Sequence, residues 1–229
     1  MDAHLLTAWM TVLTVAAYLI MRRIYLRWTH PLLNIVIWSA AAMIAFLIAC
    51  DIPYSDYIPA RNTMTALLGP ATVGLAVPLY RYRKLLRSYA TAIVAGVAAG
   101  TLLSMILSGL ICQYAGLSWE LLVSMVPKGA STPFAVEIAR VYGGIPALSV
   151  ALVVATGTSM APLGVVLLNR ARVSDPVARG MALGTVAHAQ GVALSLMENS
   201  QQGAMAGLAM ILAGLFTVGL APLVFRLLG

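Results

Sequence analysis

Twelve residues in the middle of the chain carry the densest chemistry: Val126-Pro127-Lys128-Gly129-Ala130-Ser131-Thr132-Pro133-Phe134-Ala135-Val136-Glu137. They interrupt a very apolar sequence with two prolines, a glycine, two hydroxyls, a lysine and a glutamate. In lipid, irregular backbone survives only where it is buried in protein or lines a watery cavity. A charge at that depth is costly and marks function by default. Pro133 suits the first turn of a new helix with Ser131 or Thr132 as its N-cap. The free N–H groups and dipole of such a terminus attract an anion. The stretch therefore reads as half of a binding site for a small organic anion, with Lys128 as the counter-charge. Lys128 has two other readings: it snorkels to a membrane surface, or it pairs with Glu137. Glu137 is a candidate proton carrier, or the ion-pair partner of Lys128 or Arg140.

Two further stretches carry related chemistry. Gly184, Thr185, His188 and Gln190 interrupt the apolar run 177–197. His188 is a histidine within an apolar run, and its ordinary pKa of about 6.5 suits proton coupling. The alternative is a core histidine bonded to a backbone carbonyl. Leu68-Gly69-Pro70-Ala71-Thr72 interrupts the run 62–80, because Pro70 lacks an N–H and clashes with the preceding turn. Thr72 opens the helix beyond that break, and Asn62 adds a polar contact. Together these give the candidate substrate-binding set Lys128, Ser131, Thr132, Thr72, Gly184, Thr185, His188, Gln190 and Asn62, with His188 and Glu137 as proton-coupling candidates. The sequence holds no nucleotide motif, zinc spacing or serine elbow, so no metal, cofactor or catalytic residue is expected. The twelve methionines are scattered and read as packing.

The elements that position these residues follow from composition. Of 229 residues, 61% are hydrophobic and only 9% charged, against about 25% charged in soluble domains. This is the composition of a polytopic, all-α membrane protein forming one transmembrane domain over 1–229. A span takes about 20 residues, which allows about seven full spans. The expected spans are 5–21, 30–50, 62–80, 89–112, 146–168, 177–197 and 203–228. The first is retained, not removed as a signal peptide. The net charge of +7 falls in short clusters between apolar runs, which argues against nucleic acid. Loops 22–29, 81–88 and 169–179 and the C-terminus hold eleven of the fourteen Lys and Arg. The positive-inside rule makes these cytoplasmic and the N-terminus outside. The segment 117–143 must then cross an even number of times. Its arms are too short to span, so 118–142 is expected to be a re-entrant hairpin entering from the outside. Cys50 and Cys112 have two readings, a disulfide or a pair of inert packing residues, and the second is preferred.

Internal symmetry points the same way. A shift of 115 residues lays 68–73 over 183–188, giving a first repeat at 32–112 and a second at 146–228 in opposite orientations. A shift of 59 instead matches Ala71, Ala76, Val77 and Arg81 to Ala130, Ala135, Val136 and Arg140. Inverted repeats with interrupted helices are a transporter design, with the guest at the midplane.

The residues that carry these patterns resemble a known family. Leu68-Gly69-Pro70-Ala71-Thr72-Val73, Ala76-Val77-Pro78-Leu79-Tyr80, Pro127-Lys128, Thr132-Pro133, Gly143-Gly144-Ile145-Pro146, Asp175-Pro176-Val177-Ala178-Arg179-Gly180 and His188-Ala189 are similar to the LrgB/CidB family. The resemblance implies a bacterial inner-membrane protein acting beside a small holin-like (LrgA/CidA-type) membrane protein. It also implies one of two functions. One is transport of small monocarboxylates of the pyruvate, lactate, glycolate and glycerate class. On that reading one helical block is expected to move against another, coupled to protons, in a homo-oligomer that gives the mobile part a fixed frame. The other is antiholin-like regulation of murein hydrolase activity and autolysis. An intramembrane enzyme is not expected, because no residue pair has hydrolytic spacing.

Overall fold

The computed structural model describes residues 3–28, 35–67, 70 and 76–229. All regular elements among them are helical. The chain divides into two compact units, Met1–Gly74 and Leu75–Gly229. In the first, α1 (Ala3–Arg27) packs against α2 (Ile35–Ala49) and α3 (Tyr54–Ala66). The Thr14 hydroxyl meets the Tyr57 hydroxyl at 3.1 Å, and Ala60 is fully buried. Pro53 precedes α3 and Asp56 lies in its first turn. The proposed break at Leu68, Gly69 and Thr72 lies outside the described residues.

The second unit contains α4 (Ala76–Arg81), α5 (Arg83–Ser88), α6 (Ala90–Tyr114), α7 (Trp119–Met125), a 3-10 turn (Val126–Gly129), α8 (Thr132–Tyr142), α9 (Pro146–Arg170), α10 (Pro176–Glu198) and α11 (Ser200–Leu228). The helices at His4–Arg27, Ala90–Tyr114, Pro146–Arg170 and Ser200–Leu228 are long and apolar enough to cross a membrane. These match the expected spans 5–21, 89–112, 146–168 and 203–228. Local chemistry sets their ends. Asp175 accepts the Ala178 N–H at 2.8 Å ahead of Pro176. Asn199 accepts the Gln201 N–H at 2.7 Å. Gly143 takes φ 80° to end α8, a left-handed conformation glycine adopts without penalty.

The stretch 118–142 folds as a helical hairpin, and α7 and α8 are its arms. Their outer ends bracket one ring: Trp119 and Tyr142 lie 5.8 and 4.7 Å from Phe225. That places the hairpin's mouth at the C-terminal end of α11.

The run 177–197 was expected to be a span, and here the structure differs. α10 is broken at His188 (φ 49°, ψ −131°), and its two arms fold back on each other. Arg179 and Glu198, nineteen residues apart, form an ion pair at 3.1 Å; a straight helix would separate them by about 28 Å. A Cβ on Gly191 would stand 2.1 Å from the Leu183 carbonyl oxygen, a contact impossible along one straight helix. α10 is therefore a second helical hairpin. Its mouth lies at the N-terminal end of α11, where Gly180 abuts the Gln202 carbonyl.

This fold-back changes the parity of the chain. Gln113, at the end of α6, donates to the Leu228 carbonyl, while Tyr82, before α6, meets Ser200 at 3.0 Å. The C-terminus thus lies at the end opposite the basic residues 81–87, not beside them as the charge count had it.

The two hairpins enter from opposite ends, and the core is layered between them. Ile93, Val177, Ala204 and Met205 form one apolar cluster, followed by Val97, Ala209 and Ala213. Met105, Cys112, Val126, Val224 and Phe225 belong to the cluster at the other end.

Candidate functional site

The tips of the two hairpins meet between these apolar layers. Pro127 opens the 3-10 turn, which places Lys128 at the tip of the first hairpin with Ala130 already extended (ψ 164°). Gly129 brings the tip close to α6: a Cβ on it would stand 3.0 Å from the Ser104 hydroxyl. The second tip is His188 itself, 4% exposed and at positive φ. Its Nε2 lies 2.9 Å from the Lys128 carbonyl oxygen. With the donor on the ring nitrogen, the imidazole caps a carbonyl that the broken turn leaves free. The expected bond from His188 to a backbone carbonyl is therefore present, and the carbonyl belongs to the other tip.

Lys128 is half-buried and does not snorkel away. Its ammonium donates to the Ser108 hydroxyl of α6, which in turn donates to the Ser104 carbonyl at 2.6 Å. Glu137 is not its partner: Glu137 pairs with Arg140 at 3.0 Å, and both are exposed. That exposed pair leaves Glu137 away from any buried proton path through the tips. Among the described residues Lys128 has no acidic partner. An ammonium has three donors, and the Ser108 bond uses one.

The other expected residues separate into groups. Ser131 and Thr132 open α8 just beyond the tip, with Ser131 in the N-cap position and half-buried. Gln190 lies two residues past the break, and its amide faces Gly157 of α9 at 3.3 Å from an added Cβ. Gly184 and Thr185 are not at the break. Gly184 instead lets α10 touch α11, since a Cβ there would come 2.1 Å from the Ala206 carbonyl. Thr185 donates to the Met181 carbonyl at 2.7 Å and faces Gly100 of α6. Asn62 belongs to the first unit and accepts from Arg61 at 2.9 Å. Thr72 lies outside the described residues. The sequence reading missed Ser104 and Ser108; their signal was a polar stripe with Thr101 on one face of α6, at spacings of three and four residues.

Cys50 and Cys112 are free thiols. Among the described residues no group of three His, Cys, Asp or Glu side chains could hold a metal. What the tips offer is an ammonium with spare donors, a helix N-terminus and an imidazole, held at the meeting of four helical elements. Such a site can hold a small anion away from bulk water.

Comparison with known proteins is consistent along almost the whole chain. A family model described as the LrgB-like family matches residues 14–227. An uncharacterized protein of Bacillus subtilis strain 168, YxaC, is 35% identical over 93% of this chain and 93% of its own. The antiholin-like protein LrgB of Bacillus cereus strain B4264 is 32% identical over 81% of each chain. The holin-like protein CidB of Staphylococcus epidermidis strain RP62A is 28% identical over 99% of each. No solved structure matches.

Proposed function

The chain belongs to the LrgB-like family, and from that premise we propose that it is an antiholin-like membrane protein that acts with a small holin-like partner to regulate murein hydrolase activity. The observation that carries this reading is near-full-length similarity to proteins named holin-like and antiholin-like. The test is expression in a bacterial host with and without a co-expressed small holin-like membrane protein. A changed autolysis rate and co-purification of the two chains are expected. An autolysis rate equal to that of empty vector, with no co-purification, overturns it.

A second reading is favoured by the geometry: transport of small monocarboxylates, proton-coupled through His188, in a homo-oligomer. The kinship supports the first reading more directly; the ammonium of Lys128 at a broken, buried tip supports this one. A scaffold has no need of an unpaired cation there. Uptake of labelled glycolate or pyruvate into vesicles containing the purified protein tests it. Uptake above empty vesicles is expected, and none from either acid overturns it.

Both readings share a topology in an inner membrane. The basic residues 81–87 and 170–179 are placed in the cytoplasm, which puts Gly229 outside. Hairpin 119–142 with α9, and hairpin 176–198 with α11, then form an inverted pair. Lys128 and His188, sixty residues apart, occupy equivalent tips.

A further inference from the structure

The two buried side-chain polar atoms without a hydrogen-bond partner among the described residues are Thr101 Oγ1 and Gln190 Oε1. Both lie near the meeting of the tips. Thr101 is 3% exposed and lies on the inward row of α6 with Val97, Met105, Ser108 and Cys112. Its depth is fixed from both sides. Its neighbour Gly100 faces Thr185, one turn before His188, and Ser104 abuts Gly129, next to Lys128. Thr101 therefore occupies the level at which the hairpins face each other, in the gap between the apolar clusters around Val97 and Met105.

Its hydroxyl also behaves differently from its neighbours. Four buried hydroxyls in these helices bond back to the carbonyl four residues earlier: Ser108 to Ser104, Ser124 to Glu120, Thr158 to Val154 and Thr217 to Ala213, at 2.6–2.7 Å; two others, Ser149 and Ser195, bond the Ser124 carbonyl and the Gln202 amide. Thr101 does not, although Val97 supplies the same carbonyl. An apolar interior offers such a group no water, and leaving it unbonded is destabilising. The arrangement makes sense if the missing partner is a guest.

We propose that Thr101 is a specificity residue of the tip site: its hydroxyl bonds the oxygen on the carbon next to the guest's carboxylate, while the Lys128 ammonium leaves Ser108, two turns further along α6, to hold the carboxylate. Gln190 faces the same guest from the second arm of α10. The proposal rests on the transport reading above.

The experiment compares labelled glycolate with labelled acetate, which lacks the second oxygen, in vesicles containing wild-type protein, Thr101→Val or Thr101→Ser. The wild type is expected to favour glycolate. Thr101→Val, nearly the same shape, lowers the glycolate-to-acetate ratio at least tenfold, mainly through the glycolate KM, and leaves acetate uptake in place. Thr101→Ser keeps the wild-type ratio. Thermal unfolding without solute checks folding; if Thr101→Val unfolds, Thr101→Ala against Thr101→Ser gives the same comparison. A selective wild type with an unchanged ratio in the valine or alanine variant overturns the role of Thr101 alone, as does a wild type that carries both acids equally. A wild type that carries neither acid overturns the proposal, and the transport reading falls with it only if pyruvate is not taken up either.

Discussion

The imidazole Nε2 of His188 sits 2.9 Å from the backbone carbonyl oxygen of Lys128. The bond joins two helical hairpins that enter from opposite ends of α11. Each tip is a break in regular structure, and each is supported by a different neighbour: α6 holds Lys128 through Ser108, and α9 lies against Gln190 through Gly157.

Lys128 is the positive charge at this point. Lys128→Met removes it with little change in length and leaves the Ser108-to-Ser104 bond intact. Hydrogen bonds to charged groups contribute about 1.5–3 kcal/mol, so affinity for a small carboxylate should fall about tenfold to a hundredfold. Titration of the solute-induced shift in unfolding temperature, wild type against variant, measures this. Equal affinities would remove Lys128 from the site.

His188 holds a backbone conformation outside the regions favoured by residues with a Cβ. Such strain costs on the order of 1–3 kcal/mol. His188→Ala and His188→Gly both lose the imidazole, but only glycine relieves the strain. His188→Gly should therefore be the more stable of the two, by about 1–2 kcal/mol. Thermal unfolding in detergent compares them directly, and equal stability would mean that the tip is not strained.

Gly184 is a packing residue. A Cβ there would meet the Ala206 carbonyl carbon at 2.7 Å and its oxygen at 2.1 Å, and backbone cannot rotate away. Gly184→Val should cost more than the about 1–3 kcal/mol of ordinary overpacking and lower the yield of folded protein. Gly219→Ala, with nothing within 4 Å of the added carbon, is the control and should be neutral or stabilising. Size-exclusion profiles and unfolding temperatures read both.

The second hairpin fixes the parity of the chain. A reporter fused after Gly229 should lie on the side opposite a reporter inserted between Arg172 and Asp175. Paired periplasmic and cytoplasmic reporters at each site give the answer. The same side for both would restore α10 as a full crossing.

The first hairpin was legible in the sequence because its break is written in Pro127, Gly129 and Pro133, and because the charge pattern required an even number of crossings. The second was not. The run 177–197 has the length of a span, its break falls on a histidine with no proline beside it, and the charge count put the C-terminus with the basic loops, which required a full crossing there. One signal was present: Arg179 and Glu198 flank the run with opposite charges, as the two ends of a hairpin would. Gly184 drew attention as a break, yet its use is close contact with Ala206. Thr101, Ser104 and Ser108 stayed hidden because hydroxyls in apolar helices usually bond their own backbone; the exception at Thr101 becomes visible only in the fold.

The meeting of the tips is tested most directly by cross-linking them. In a chain with Cys50→Ser and Cys112→Ser, the pair Lys128→Cys and His188→Cys is treated in native membranes with a short bifunctional thiol reagent, and the chain is then cut in the α9–α10 loop. The two fragments should remain joined, while either single cysteine variant should separate. Fragments that separate in the double variant, with both thiols shown to react singly, would contradict the crossing of the hairpins.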